Sequence, residues 1–214
     1  MIPKIIHHTW IGHKPFKPQF KKFRESWMAL HPTWTMIFWR WDNLPSMPPE
    51  IESIVRDKRY LVQLRADILR LYVLDLYGGI YTDADMECLK PFDDFLDLDF
   101  FAGREDSRYI CNALIGSKKD NPTIKTLLER SLKNLQNQDI SYANKVVNEL
   151  TGPVLFSEVI PELNLDPAKN KILDPVYFYP IYCTEREKLH TETPNSYAKH
   201  YWAGLDPDGW YINK

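Results

Sequence analysis

Residues 61–77, LVQLRADILRLYVLDLY, constrain the chain more than any other stretch. At 3.6 residues per turn they predict about four and a half turns of helix, apolar on nearly every side and interrupted only by Gln63, Arg65, Asp67, Arg70 and Asp75. Such a helix must be largely buried, so the rest of the chain has to fold around it. Gly78 and Gly79 follow as a C-cap, and IYTDADM then turns β-like before the proline of LKPF breaks it.

The flanking sequence alternates strands with helices. IPKIIHHTWIG reads as a short buried strand at Ile5 and Ile6, ending in an aromatic and a glycine that permits a tight loop. Phe20, Phe23, Trp27 and Leu30 recur at helical steps between Lys21, Lys22, Arg24 and Glu25, which predicts a surface helix over a core. TMIFWRW reads as a strand and NLPSMPPEI as a proline-rich loop that stops it. Further on, DFFAG and ICNALIGS look like strands and NPTIKTLLERSLKNL like a helix, with Asn121 as cap and Pro122 at its first position. At 214 residues, with no internal repeat and no low-complexity linker, residues 1–214 are expected to form a single α/β domain.

A formal net charge of -2 with dispersed charges lacks the basic stripe of a nucleic-acid binder, so no nucleic-acid partner is expected. Cys88, Cys111 and Cys183 form no C-x-x-C pair, which fits a reducing compartment. No apolar run approaches the ~20 residues of a membrane span, and a cytoplasmic location is expected. The stretch KPFKPQFKKFRESW has two readings. It is either a basic-aromatic contact with the inner face of an anionic membrane, near a lipid-linked acceptor, or an amphipathic helix packed on the sheet.

In an extended segment, residues two apart project to one side, so Asp83 and Asp85 should form an oxygen-rich edge that Glu87 continues. Mg²⁺ or Mn²⁺ accepts one or two such carboxylates and fills its remaining positions with water and phosphate oxygens. The plain alternative is a solvated acidic turn, and another is a phosphatase-like aspartyl nucleophile. An EF-hand is disfavoured because Cys88 stands where that loop needs glycine. Asp67 and Arg70 share a helical face, either as an ion pair bracing the core or as ligand contacts, whereas Arg65 and Asp75 look like boundary residues. His7 and His8 point to opposite sides of a strand, which argues against a joint metal site and places one of them toward the core.

IPKIIHHTWIG, ADILRLYVLDLYGGIYTDADMECLKP, TGP and HYWAG together resemble glycosyltransferase family 32, the sugar transferases with the DXD motif, which are related to the large glucosylating toxins and capsular polysaccharide transferases. The resemblance implies a GT-A fold, an α/β arrangement with a mixed central sheet flanked by helices, and transfer with retention of anomeric configuration. It implies that Asp85 binds a divalent metal directly and that Asp83 reaches the ribose or the metal through water. Asp67 and Arg70 would contact the donor sugar and phosphates, Trp10 would stack beside the nucleobase, and Tyr81 would line the donor pocket. His200 would return to the metal, Trp202 to the leaving diphosphate, and Asn112 would lie near the anomeric carbon. Trp210 is displaced from the family's usual Ser-Trp by the segment AGLDPDGWYI.

The expected activity is metal-dependent transfer of a hexose or N-acetylhexosamine from a UDP- or GDP-sugar to a glycan or lipid-linked glycan, in surface or capsular polysaccharide synthesis. The competing classes are a phosphoryl-transfer enzyme using Asp83 as nucleophile and a non-catalytic sugar-nucleotide-binding module.

Overall fold

The computed structural model describes residues 1–13, 15–136 and 138–205, so the expectation about Trp210 lies outside the described residues. In chain order the elements are β1 (Ile5–Thr9), α1 (Pro18–Leu30), β2 (Thr35–Trp39), α2 (Pro49–Arg56), α3 (Val62–Tyr77), β3 (Gly79–Thr82), β4 (Met86–Cys88), β5 (Phe100–Arg104) and β6 (Ile110–Ser117). They continue with α4 (Pro122–Leu135), α5 (Ile140–Ala143), α6 (Val147–Leu150), α7 (Pro153–Glu162), β7 (Asn170–Leu173), α8 (Pro175–Phe178) and β8 (Ala198–His200).

Six strands form one sheet in the order β2-β1-β3-β6-β5-β7. β1 runs parallel to β2 and β3, β6 antiparallel to β3 and β5, and β7 parallel to β5, which is the mixed sheet expected. Neighbouring residues divide between two apolar layers. Tyr81, Phe100 and Ile115 pack with Leu64, Ile68, Leu127 and Phe156 of the long helices. Ile80, Phe101 and Leu114 pack on the other side with Phe20, Phe23 and Trp27 of α1 and with Phe92 and Phe178. Because both faces are covered, β6 is buried along its whole length and reads as an apolar run rather than an alternation. β4 and β8 make a separate antiparallel ribbon, tied to α1 by the Trp27 indole N–H donating to the Met86 carbonyl at 2.9 Å.

The 61–77 helix forms as α3, with Leu64, Asp67, Ile68, Arg70, Leu71 and Leu74 among its buried residues, and Gly78 caps it through its N–H to the Leu74 carbonyl. Asn121 caps α4 as expected, accepting from the Thr123 N–H at 2.8 Å. The proline-rich loop ends sooner than expected. Pro49 occupies the first turn of α2, where a missing N–H costs nothing, and Glu50 and Glu52 suit the positive end of the helix. That helix corrects a second expectation. Arg65 is no boundary residue but is buried beneath α2, its Nε donating to the Val55 carbonyl at 2.8 Å and its guanidinium lying 4.9 Å from the Trp41 ring.

On α1 the aromatic face is buried in the core, and Lys21 and Lys22 remain outside, which removes the apolar half of the membrane-contact reading. Among the described residues no helix is long and apolar enough to cross a membrane.

Both histidines of β1 are buried, on opposite sides of the sheet. The Trp39 indole N–H donates to His7 Nδ1 at 3.1 Å, so Nε2 is the protonated nitrogen and donates to the Gly78 carbonyl at 2.8 Å. His8 sets its edge against Trp27, and its Nε2 has no hydrogen-bond partner. Burial lowers the His7 pKa to about 4 and the His8 pKa to about 3. Both therefore stay neutral in the fold below the pH at which an unfolded histidine takes up a proton, and stability is lost as pH falls from about 6.5 toward those values. At pH 5 each histidine is expected to cost about 2 kcal/mol relative to pH 7. In urea unfolding, His8→Gln should lose about 2 kcal/mol less than the wild type over that interval, and equal losses would contradict the assignment.

Gly79 has φ 105°, and a Cβ there would sit 2.6 Å from the Ile5 carbonyl oxygen. Gly79→Ala should lower unfolding free energy by about 2 kcal/mol or more, read from the urea midpoint at constant slope.

Candidate active site

β3 ends at Thr82 and the chain turns at once, Met86 N–H closing on the Asp83 carbonyl at 3.2 Å. Asp83 and Asp85 therefore meet through a turn, not through the alternation of a strand as expected. Glu87 does not continue the row. It lies in β4 and its carboxylate accepts from the Tyr201 hydroxyl at 2.7 Å. The third member is His200, brought in by β8, where it pairs with Met86. One ligand atom from each of Asp83, Asp85 and His200 lies within 4.8 Å of the others.

Asp85 is fixed from the C-terminal side. Ala203 N–H donates to its Oδ2 at 2.8 Å, Tyr201 N–H to its carbonyl at 3.0 Å, and His200 Nε2 stands 3.2 Å from the same Oδ2. Burial acts to lower the His200 pKa, but Asp85 outweighs it and the imidazole is shifted up. The reverse holds for Asp85, whose burial is outweighed by His200, so its pKa is shifted down. Asp83 is shifted up by burial beyond what Arg70 offsets. Two carboxylates and an imidazole nitrogen are a donor set that fits Mg²⁺ or, better, Mn²⁺, with positions left for water and phosphate oxygens.

Arg70 connects this group to α3. Its Nη2 donates to Asp83 Oδ1 at 2.7 Å, Nη1 stands 2.9 Å from Asp67 Oδ1, and the guanidinium lies 4.5 Å from the Tyr81 ring. The Tyr81 hydroxyl also donates to Asp83 Oδ1, at 3.1 Å, and is bonded to Thr9 Oγ1 at 2.8 Å. Asp67 is gripped from the other side by Asn112 Nδ2 at 2.9 Å and by Thr151 Oγ1 at 2.8 Å. Burial pushes the Asp67 carboxyl up to about 6 against the pull of Arg70. The expected residues Asp67, Arg70, Tyr81, Asp83, Asp85, Asn112 and His200 thus form one connected group. Thr9 and Thr151 belong to it as well and were not anticipated. Each stood inside a quoted motif, HHTWIG and TGP, which was the only signal available.

The two tryptophans take different positions. Trp10 sits just beyond β1, edge-on to Phe16 and Phe20, and lines a cleft of about 590 Å³ with His13, Phe38, Arg40 and Trp41. Trp202 was expected to reach the leaving diphosphate. Its indole N–H is instead donated to the Ile181 carbonyl at 2.9 Å, and its ring lies 4.1 Å from the His200 ring, which it buttresses.

A family model described as a glycosyltransferase sugar-binding region containing the DXD motif matches residues 17–102. An uncharacterized glycosyltransferase, L373, of Acanthamoeba polyphaga mimivirus is 30% identical over 94% of this chain and 85% of its own length. Inositol phosphoceramide mannosyltransferase 2 of Schizosaccharomyces pombe is 27% identical over 100% of this chain but only 59% of its own, so the chain spans little more than half of that relative. Among solved structures, the UDP-bound glycosyltransferase domain of the YGT toxin has a TM-score of 0.55 at 12% identity, covering 80% of this chain and 79% of that one. The mixed sheet and this likeness give the α/β fold of GT-A type, and the mimivirus relative, aligned across nearly the whole chain, places the protein in the DXD-motif glycosyltransferases of family 32.

Proposed function

We propose that this protein is a metal-dependent, retaining glycosyltransferase that moves a hexose or N-acetylhexosamine from a UDP- or GDP-sugar to a hydroxyl of a glycan or lipid-linked glycan in surface or capsular polysaccharide synthesis. The observation that carries this reading is the convergence of Asp83, Asp85 and His200 beside the buried Arg70 guanidinium. Mn²⁺ or Mg²⁺ held by those three residues would act as a Lewis acid toward the charge that develops on the departing diphosphate.

The chain's own residues supply the rest. Arg70 has buried Nε and Nη1 donors without a well-aimed acceptor, suited to phosphate oxygens. Asp67 has about four lone-pair sites, of which hydrogen bonds from Asn112 and Thr151 occupy two while Arg70 Nη1 stands 2.9 Å away as an ion-pair partner, leaving room for a donor-sugar hydroxyl. Asn112 spends its amide nitrogen on Asp67 and keeps its amide oxygen for the sugar. Trp10, at the rim of its cleft, offers an aromatic face to the base. Front-face transfer then needs no enzymic nucleophile: the bond from the anomeric carbon to phosphate breaks, that to the acceptor oxygen forms, and the acceptor proton passes to the departing phosphate. The Schizosaccharomyces pombe relative, by its name a mannosyltransferase acting on a lipid, supports a hexose and a lipid-linked acceptor. Asp83 as a phosphatase nucleophile is disfavoured because Arg70 and Tyr81 both bond its Oδ1.

The test is release of nucleotide diphosphate from a panel of UDP- and GDP-sugars with Mn²⁺. Asp85→Ala and a chelator should each reduce turnover by about 10²-fold or more. Turnover that survives chelation would sink the metal-dependent reading. Thr151→Val removes a donor to Asp67, leaves Oδ2 unsatisfied, and should raise the donor KM about tenfold at unchanged Mn²⁺ affinity, whereas Thr151→Ser should restore it.

A further inference from the structure

β4 and β8 set Glu87 opposite Lys199, so the two side chains project from one side of the ribbon. Residues alternate along a strand, and this is the side that Met86 and His200 do not use. Tyr201, two residues beyond Lys199, joins the pair. Its hydroxyl donates to Glu87 Oε2 at 2.7 Å, and its ring lies 5.9 Å from Lys199 Nζ. These three residues and the segment 190–194 line a cavity of about 440 Å³.

The two facing charges are not joined. Among the described residues no ion pair links Glu87 to Lys199, although they stand in register. Lys199, only 6% exposed, donates instead to the Leu189 and Thr191 carbonyls at 3.1 and 3.0 Å. An ammonium has three N–H donors, so one is left over. The Glu87 carboxylate takes its one bond from Tyr201 on Oε2, among the described residues, and keeps acceptor capacity on Oε1. Thr193, on the same cavity, has a buried Oγ1 without a hydrogen-bond partner. Buried polar atoms are nearly always satisfied, so an orphan hydroxyl beside a spare donor and a spare acceptor marks a place for a polar occupant.

The lining selects the class of that occupant. Its glutamates, Glu87 and Glu192, are matched by its lysines, Lys90 and Lys199, which favours neither an anion nor a cation. An apolar molecule would leave the ammonium, the carboxylate and the hydroxyl without partners. A polyol suits all three, because each of its hydroxyls both donates and accepts. The volume lies within the range of about 300–1,000 Å³ typical of small-molecule sites. We infer that this cavity is a second carbohydrate site, which binds a neutral sugar or cyclitol ring across Glu87, Lys199 and Thr193, on the side of the β4–β8 ribbon away from the His200 side chain. Its occupant is held and not transformed, so no bond forms or breaks and no metal is needed. The inference goes beyond the proposed function and does not depend on it.

The experiment uses the full chain in chelator, without nucleotide, and takes methyl hexopyranosides, myo-inositol and inorganic phosphate as probes. Calorimetric titration gives Kd, and amide shifts in NMR spectra locate the probe. A neutral probe should bind and shift the amides of Glu87 and residues 190–201. Glu87→Gln should weaken it about tenfold. Thr193→Val keeps the side-chain shape and should weaken it about threefold or more without lowering the thermal midpoint. A purely structural role for the cluster would leave affinity in Thr193→Val unmoved. Circular dichroism melting identifies a Glu87→Gln protein that fails to fold, and Thr193→Val then decides. UDP or GDP added with Mn²⁺ should leave the probe's Kd within about twofold. Displacement by the nucleotide, phosphate bound in preference to every neutral probe, no shift at these amides, or full affinity in Thr193→Val would each overturn the site. Donor turnover is never read, so failure of the transferase reading would leave this test standing.

Discussion

A single guanidinium, Arg70, holds the candidate site together. It is almost wholly out of water, between Asp67 on its own helix and Asp83 beyond β3, with the Tyr81 ring on its face. Removing a charge from water costs several kcal/mol, and only well-placed partners offset that. The arrangement is therefore all or none. Losing either carboxylate would leave a buried cation short of partners, a defect worth about 3–5 kcal/mol in comparable pairs. This constraint explains why so apolar a helix carries polar residues: Asp67 and Arg70, three apart, look from one face of α3 toward the ends of β3 and β6.

The other half of the site depends on contacts far apart in sequence. Asp85 is gripped by Tyr201 and Ala203, and His200 reaches it only when β8 pairs with β4. Strand pairing across such a separation pays its loop-closure entropy before any contact forms. The Asp83–Asp85 turn can be preset locally, whereas the His200 arm exists only in the finished fold. Trp202 secures that arm, since its positive φ of 52° and its bond to Ile181 fix the ring that backs His200.

Local signals were legible in the sequence and distant ones were not. The period of residues 61–77, the Gly78 cap and the Asn121 cap each lie within a few residues and each appears in the structure. α2 was hidden because its prolines read as breakers, although Pro49 followed by Glu50 and Glu52 is also how a helix begins, and without α2 the burial of Arg65 was hidden too. Asp83 and Asp85 were paired correctly for a mistaken reason, since a turn and a strand can both bring residues two apart to one side. His200 came only from family resemblance. Thr9 and Thr151 meet the site through side-chain contacts with residues far away in sequence, and such contacts leave no periodicity to read.

The paired carboxylates of the opening motif pose an electrostatic question that His200 answers. Asp67, Asp83 and Asp85, when ionised, exceed the single positive charge of Arg70, and burial amplifies the imbalance. The structure meets it locally. Asp85 shifts His200 toward its protonated form, against the effect of the imidazole's own burial. The same imidazole belongs to the trio of residues that could hold a cation. A proton and a divalent ion are thus alternative occupants answering the same excess of negative charge, which is how the fold tolerates a motif whose charges would otherwise push the turn apart.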